Sequence, residues 1–261
     1  MRPEGITFVR TVIGFIVLSC VPGVRKPVVR RDRGRVVLLG LIWLALPMSM
    51  FPFAEQRVSS ALTGLLNGAT PLFVAVVGAA QIRKVPLRDA QAALAVGLLG
   101  AVLVAAPSLR QGRSSAIGVA LVLCALLFYG FAINLARPLQ QRNGALPVIW
   151  RSVGVAALMT APTGFHAAVS AHWTLPAVLS MLALGGLGTG IANVLVATAA
   201  GTTSASRASA MGFIIPAVSL ALGVLVRHEK VGTASLVGAV VCVSGAFLLA
   251  RSGGQRRADG S

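Results

Sequence analysis

The chain has 261 residues, 56% hydrophobic and 11% charged, with a net charge of +17 from 23 Lys and Arg against 6 Asp and Glu. Soluble domains carry roughly 25% charged residues, so a water-soluble fold is excluded: a protein of this size could not hide so much apolar surface, and most of it must face lipid. In a soluble chain the basic excess would point to nucleic acid, but here it sits in short connectors between apolar runs, so its partner is an anionic membrane surface and no nucleic acid is expected.

Nine apolar segments follow in order, at approximately 6–22, 36–53, 58–81, 89–106, 116–135, 148–166, 174–199, 208–226 and 232–250. Each is close to the ~20 residues that a helix needs to cross the hydrocarbon core. Spanning segments outside a closed barrel must be helical, because their backbone groups find no water to bond, and no period-2 alternation suggests a barrel. The expected fold is therefore an all-α membrane bundle of nine helices. The first segment is a retained helix and not a signal peptide, since Glu4 and Arg10 interrupt its early part and a strongly basic connector follows it.

That connector carries Arg25, Lys26, Arg30, Arg31, Arg33 and Arg35. Trp43 is the eighth residue of the next segment, at ~12 Å depth by the helical rise, too deep for the interfacial belt that suits Trp150 and Trp173. Segment 58–81 holds Asn67 and Thr70 just before Pro71, and Gly64 and Gly68 lie one GxxxG apart. Tyr129 and Asn134 fall in the inner half of 116–135, and Asn193 in the inner half of 174–199. Polar groups inside apolar helices are costly and point to function, so Trp43, Asn67, Thr70, Tyr129, Asn134 and Asn193 are candidates to line a substrate cavity; the alternative is hydrogen bonding between helices or plain packing. Pro71 and Pro216 remove a backbone donor in mid-segment and are candidates to kink helices beside the cavity. The run Gly185-Gly186-Leu187-Gly188-Thr189-Gly190 has neither a Lys nor a strand before it, so close packing through Gly186 and Gly190 is a better reading than a phosphate loop.

Cys20, Cys124 and Cys242 lie in three different segments without metal-ligand spacing. His166 and His172 have no third ligand nearby in sequence. With Glu4, Glu55 and Glu229 assigned to one side of the membrane and Asp32, Asp89 and Asp259 to the other, no acid is expected deep in the bilayer. No HExxH occurs. Neither enzyme chemistry nor a cofactor or metal is expected.

Alternation of nine helices puts sixteen of the Lys and Arg residues on one side and seven on the other. The larger group belongs in the cytoplasm, which makes the amino terminus external and the carboxyl terminus, with its tail 252–261, cytoplasmic. The chain also repeats itself. A shift of 145 residues carries Pro71 to Pro216, Gly78 to Gly223, Val96 to Val241, Gly100 to Gly245 and Leu103 to Leu248. A shift of 141 carries Phe8-Val9-Arg10-Thr11-Val12 to Ile149-Trp150-Arg151-Ser152-Val153. Two nearly equal offsets indicate duplication. Five helices lie in 108–251 and four in 1–107, so a five-helix unit repeated must be inverted the second time, a plan of secondary transporters.

In its second copy the pattern reads Pro216, Gly223, Glu229, Gly238 and Gly245; in its first, Pro71, Gly78, Lys84 and Gly100, with Lys84 where a Glu is expected. With the topology, this resembles the EamA-type members of the drug/metabolite transporter superfamily. The resemblance implies two inverted five-helix repeats (5+5), here 4+5 with the first helix of the plan not in the sequence, and a carrier exporting a small metabolite such as an amino-acid-like compound from the cell. It also implies that Glu229 is a turn acid. The expected partners are a small-molecule substrate and anionic lipid at the basic cytoplasmic face, and a homodimer is compatible with the plan. The rival readings are a membrane subunit that does not transport, or a truncated and inactive carrier.

Overall fold

A computed structural model describes residues 2–81, 88–110, 115–195, 218–226, 228 and 231–258, and every regular element among them is helical. In chain order they are α1 Pro3–Ser19, α2 Arg30–Glu55, α3 Ser60–Asn67, α4 Thr70–Gln81, α5 Arg88–Arg110, α6 Ala116–Asn143, α7 Ala145–Val169, α8 Leu175–Leu195, α9 at 218–225 and α10 Thr233–Ala258.

Local sequence explains several of the boundaries. Pro3 opens α1, where a missing N–H costs nothing. The Ser59 hydroxyl accepts from the Leu62 N–H at 3.2 Å and caps α3. Gly144, at φ +83°, makes the left-handed turn that separates α6 from α7. Helix α6 runs to Asn143 and not to 135 as the apolar run suggests: it continues past Pro138 as a polar end beyond the apolar stretch. Two helices contain π-helical stretches, Gly40–Ala45 in α2 and Ala183–Ile191 in α8.

Among the described residues five helices are long and apolar enough to cross a bilayer: α2, the Arg88–Ala106 part of α5, α6, α7 and α8. Helices α3 and α4 meet at a 42° bend and make a sixth if they form one broken span. The expected count of nine is thus met only in part. Helix α1 has 17 residues, the apolar part of α10 is the shorter Thr233–Leu249, and most of the expected 208–226 segment, Pro216 included, lies outside the described residues.

The chain forms two compact units that are interleaved in sequence: Met1–Pro52 with Ala132–Thr202, and Phe53–Phe131 with Thr203–Ser261. In the first unit α1 packs along α7 and against the π-helical part of α8. Its apolar core joins Leu18, Leu44, Met48, Ile149 and Val153, and a second cluster joins Val28, Leu39, Ala136, Leu139 and Val148. Phe15 stacks on Trp150 with centroids 5.4 Å apart, and the Trp150 Nε1–H donates to the Ser19 hydroxyl at 2.8 Å.

In the second unit the main packing is α5 against α10. Gly97 meets Gly245 backbone to backbone, Gly100 meets Cys242, and Gly238 meets Leu103 and Val104. Positions rise along one helix as they fall along the other, so the two run antiparallel. The Ser235 hydroxyl, buried, donates to the Val104 carbonyl at 3.0 Å. Helix-to-helix attraction in lipid comes from close contact and hydrogen bonding, for which glycine is suited because it lets backbones approach.

Candidate functional site

The polar centre of the first unit is built by α1 and the π-helical part of α8. Arg10 is the eighth residue of α1, about 10 Å along it by the helical rise. Its Nε–H donates to the Thr189 hydroxyl at 2.8 Å. Thr189 is fully buried, and its hydroxyl donates in turn to the Leu184 carbonyl five residues back, at 3.2 Å. That bond fixes the hydroxyl proton and leaves its oxygen aimed at the guanidinium. The Asn193 side-chain N–H donates to the Thr189 carbonyl at 2.6 Å. Two glycines permit the approach. A Cβ on Gly14 would lie 2.7 Å from the Thr189 Cγ2, and one on Gly185 would lie 2.9 Å from the Arg10 carbonyl oxygen. A charged side chain inside a spanning bundle is expensive and points to function, and π-helical turns concentrate at functional sites.

The glycine-rich run therefore serves close packing, with a changed register. Gly185 faces Ile13, and a Cβ added at Gly190 would lie 2.6 Å from the Val17 side chain, whereas one added at Gly186 would make only ordinary contacts at 4.0 Å. The close pair is five residues apart, as the i→i+5 bonding of a π-helix dictates, and not the four of an α-helical GxxxG. A short hydroxyl ladder continues along α1: Thr7 donates to the Met48 carbonyl at 3.0 Å, and the Thr11 and Thr160 hydroxyls lie 3.4 Å apart.

The six cavity candidates are all half-buried and divide between the units. Trp43, Asn134 and Asn193 belong to the first; Asn67, Thr70 and Tyr129 belong to the second. Trp43 lies in the π-helical part of α2 and packs on both apolar clusters of its unit. Asn67 ends α3 and Thr70 begins α4, and the Thr70 hydroxyl reaches both the Asn67 carbonyl, at 2.7 Å, and its side-chain oxygen, at 3.0 Å. Pro71 follows at the second position of α4, immediately beyond the 42° bend. Gly78 lies on α4, and Gly223 is buried on α9. Glu229, Lys84 and Pro216 lie outside the described residues. Gly64 packs against Ser219.

Two features escaped the sequence. In the sequence Arg10 argues against a signal peptide, counts toward topology and belongs to the repeat, but nothing there makes it a cavity residue. Asp32 looked like one more connector residue, yet it is fully buried. Its carboxylate accepts from Arg142 Nη2 at 3.0 Å and Asn143 Nδ2 at 2.9 Å, and the Asn143 side-chain oxygen accepts from the Val29 N–H at 2.9 Å. A single acid among six bases in one connector is the signal that it is held in place. No group of three or more His, Cys, Asp or Glu with metal-binding geometry occurs among the described residues.

Residues 1–106 and 116–251 match the EamA-like transporter family. A Bacillus subtilis (strain 168) protein named "Uncharacterized transporter YoaV" is 28% identical over 207 residues, which is 77% of this chain and 70% of that protein.

Proposed function

This chain belongs to the EamA-like transporter family, and on that premise we propose that it is a carrier that exports a small amino-acid-like metabolite by alternating access. Family and apolar helices support a multi-pass membrane transporter. The observation that carries the substrate class is the Arg10–Thr189 pair. A guanidinium hydrogen-bonded to a buried hydroxyl inside a helical unit is oriented as a planar fork of the kind that suits a carboxylate. Asn193 and Asn134 add amide groups, and Trp43 an apolar wall, on helices of the same unit.

The plan behind this carrier is the inverted repeat. Under the 145-residue shift Gly100 corresponds to Gly245 and Gly97 to Cys242. The two contacts Gly100–Cys242 and Gly97–Gly245 are then images of each other, the reciprocity that a two-fold relation produces. Because α5 and α10 run antiparallel, that axis is perpendicular to them and, for spanning helices, lies in the membrane plane. The interleaved units support the same plan, since each takes the corresponding part of both halves of the chain. The basic connectors favour a cytoplasmic location for the Arg25–Arg35 end.

Overexpression tests the carrier reading. Cells making the protein should release at least one carboxylate-bearing metabolite several-fold faster than cells making an Arg10→Ala form at equal membrane abundance. Identical exometabolomes for the two would refute the reading.

A further inference from the structure

A groove of about 500 Å³ opens on the first unit between α1, the connector to α2, the start of α2 and the first half of α7. Its two ends differ in chemistry. Arg25, Arg33 and Arg151 line one end; Val37, Val155 and Leu158 line the other. Among the described residues none of the three arginines makes an ion pair, because the acid of this connector, Asp32, is committed to Arg142 and Asn143. Arg151 is held in place but not neutralised. Its Nη1–H donates to the Pro147 carbonyl at 3.1 Å and the Val24 carbonyl at 3.4 Å, and its guanidinium lies 5.2 Å from the Trp150 ring centroid. The Val24 contact ties the charged head to the connector, while the Pro147 and Trp150 contacts keep it along α7. Val37 is 49% and Leu158 71% exposed. Leu158 lies two helical turns beyond Arg151 along α7, about 10 Å deeper by the helical rise.

Three unneutralised guanidiniums above an exposed apolar wall match an amphiphile with an anionic head. We propose that this groove binds one anionic phospholipid, its phosphate held between Arg33 and Arg151 with Arg25 at the rim, and an acyl chain laid along Val37, Val155 and Leu158. The charge decides which lipid: a zwitterionic headgroup would bring a quaternary ammonium against three arginines, whereas a glycerol headgroup brings only the anion. The wall decides between lipid and free phosphate, since phosphate has nothing to cover it. The site stands apart from Arg10 and does not depend on what the protein carries.

The experiment uses the full chain in detergent. Phosphatidylglycerol, phosphatidylcholine and inorganic phosphate are added separately, thermal midpoints are recorded, and bound lipid is counted by native mass spectrometry. Phosphatidylglycerol should raise the midpoint by roughly 3 °C or more, as ligand binding to the folded state does, with one molecule retained; the other two should leave it unchanged. Arg25→Gln with Arg33→Gln should abolish most of that shift. Arg30→Gln with Arg31→Gln, which removes equal charge from the same connector outside the groove, should preserve it. An equal response to phosphatidylcholine or phosphate would overturn the proposal, and so would an equal loss in both double variants.

Discussion

Gly245→Leu should cost this protein its folded state. An added Cβ at 245 would overlap the backbone of Gly97 and come within 2.8 Å of the Ala93 carbonyl oxygen. Both obstacles are main chain in the middle of a helix, so no side chain can swing aside. Helix α10 would have to lift off α5, losing the packing that dominates the second unit and the Ser235–Val104 hydrogen bond with it. Overpacking costs typically about 1–3 kcal/mol where side chains can shift, and more where backbone must move. The expected result is at least a tenfold loss of monodisperse protein by fluorescence-detected size exclusion, with Gly100→Leu behaving alike because it meets the Cys242 backbone. Gly34→Ala, where nothing lies within 4 Å, should be neutral. Normal yields for Gly245→Leu would mean that the two helices do not pack in this way.

Arg10→Ala is expected to remove transport while sparing the fold. The Thr189 hydroxyl keeps its bond to the Leu184 carbonyl when Arg10 is truncated, so its own proton stays satisfied. What disappears is the guanidinium. Truncating one partner of a hydrogen-bonded charge pair costs about 2–5 kcal/mol of binding, so transport at low substrate should fall at least about thirtyfold. Arg10→Lys keeps the charge without the fork and should retain part of the activity. Thr189→Val removes the acceptor that orients the fork and should raise the half-saturating concentration more than it lowers the maximal rate. Initial rates in vesicles with matched protein content check all three. Full activity in Arg10→Ala would move substrate recognition elsewhere.

Composition was enough to read the membrane and the helical class, because 11% charge leaves a chain of 261 residues no other way to satisfy its surface. The repeated spacing of prolines and glycines was also legible, and the proposed duplication rests on it. Three things were not. The end of α6 was set eight residues early, at 135, because hydropathy tracks lipid and not helix continuity; the helix passes Pro138 and stops only where Gly144 turns the chain. The π-helical register at Ala183–Ile191 was invisible, since its glycines satisfy a four-residue spacing as readily as a five-residue one, and only contact with Ile13 and Val17 selects Gly185 and Gly190. The burial of Asp32 depends on Arg142 and Asn143, more than a hundred residues away in sequence. For the same reason the six polar candidates could be named one by one while their division between the units could not, because interleaving is a property of the whole chain.

Counterflow in proteoliposomes tests the central claim most directly. Purified protein is reconstituted, vesicles are loaded with an excess of one unlabelled carboxylate-bearing metabolite released in the export experiment, and entry of an external labelled trace of the same compound is followed. A carrier that alternates access should show a transient overshoot of label above its equilibrium level, present with the wild-type chain and absent from protein-free vesicles. Entry that rises only to equilibrium, at the same rate with and without protein, would contradict the carrier reading.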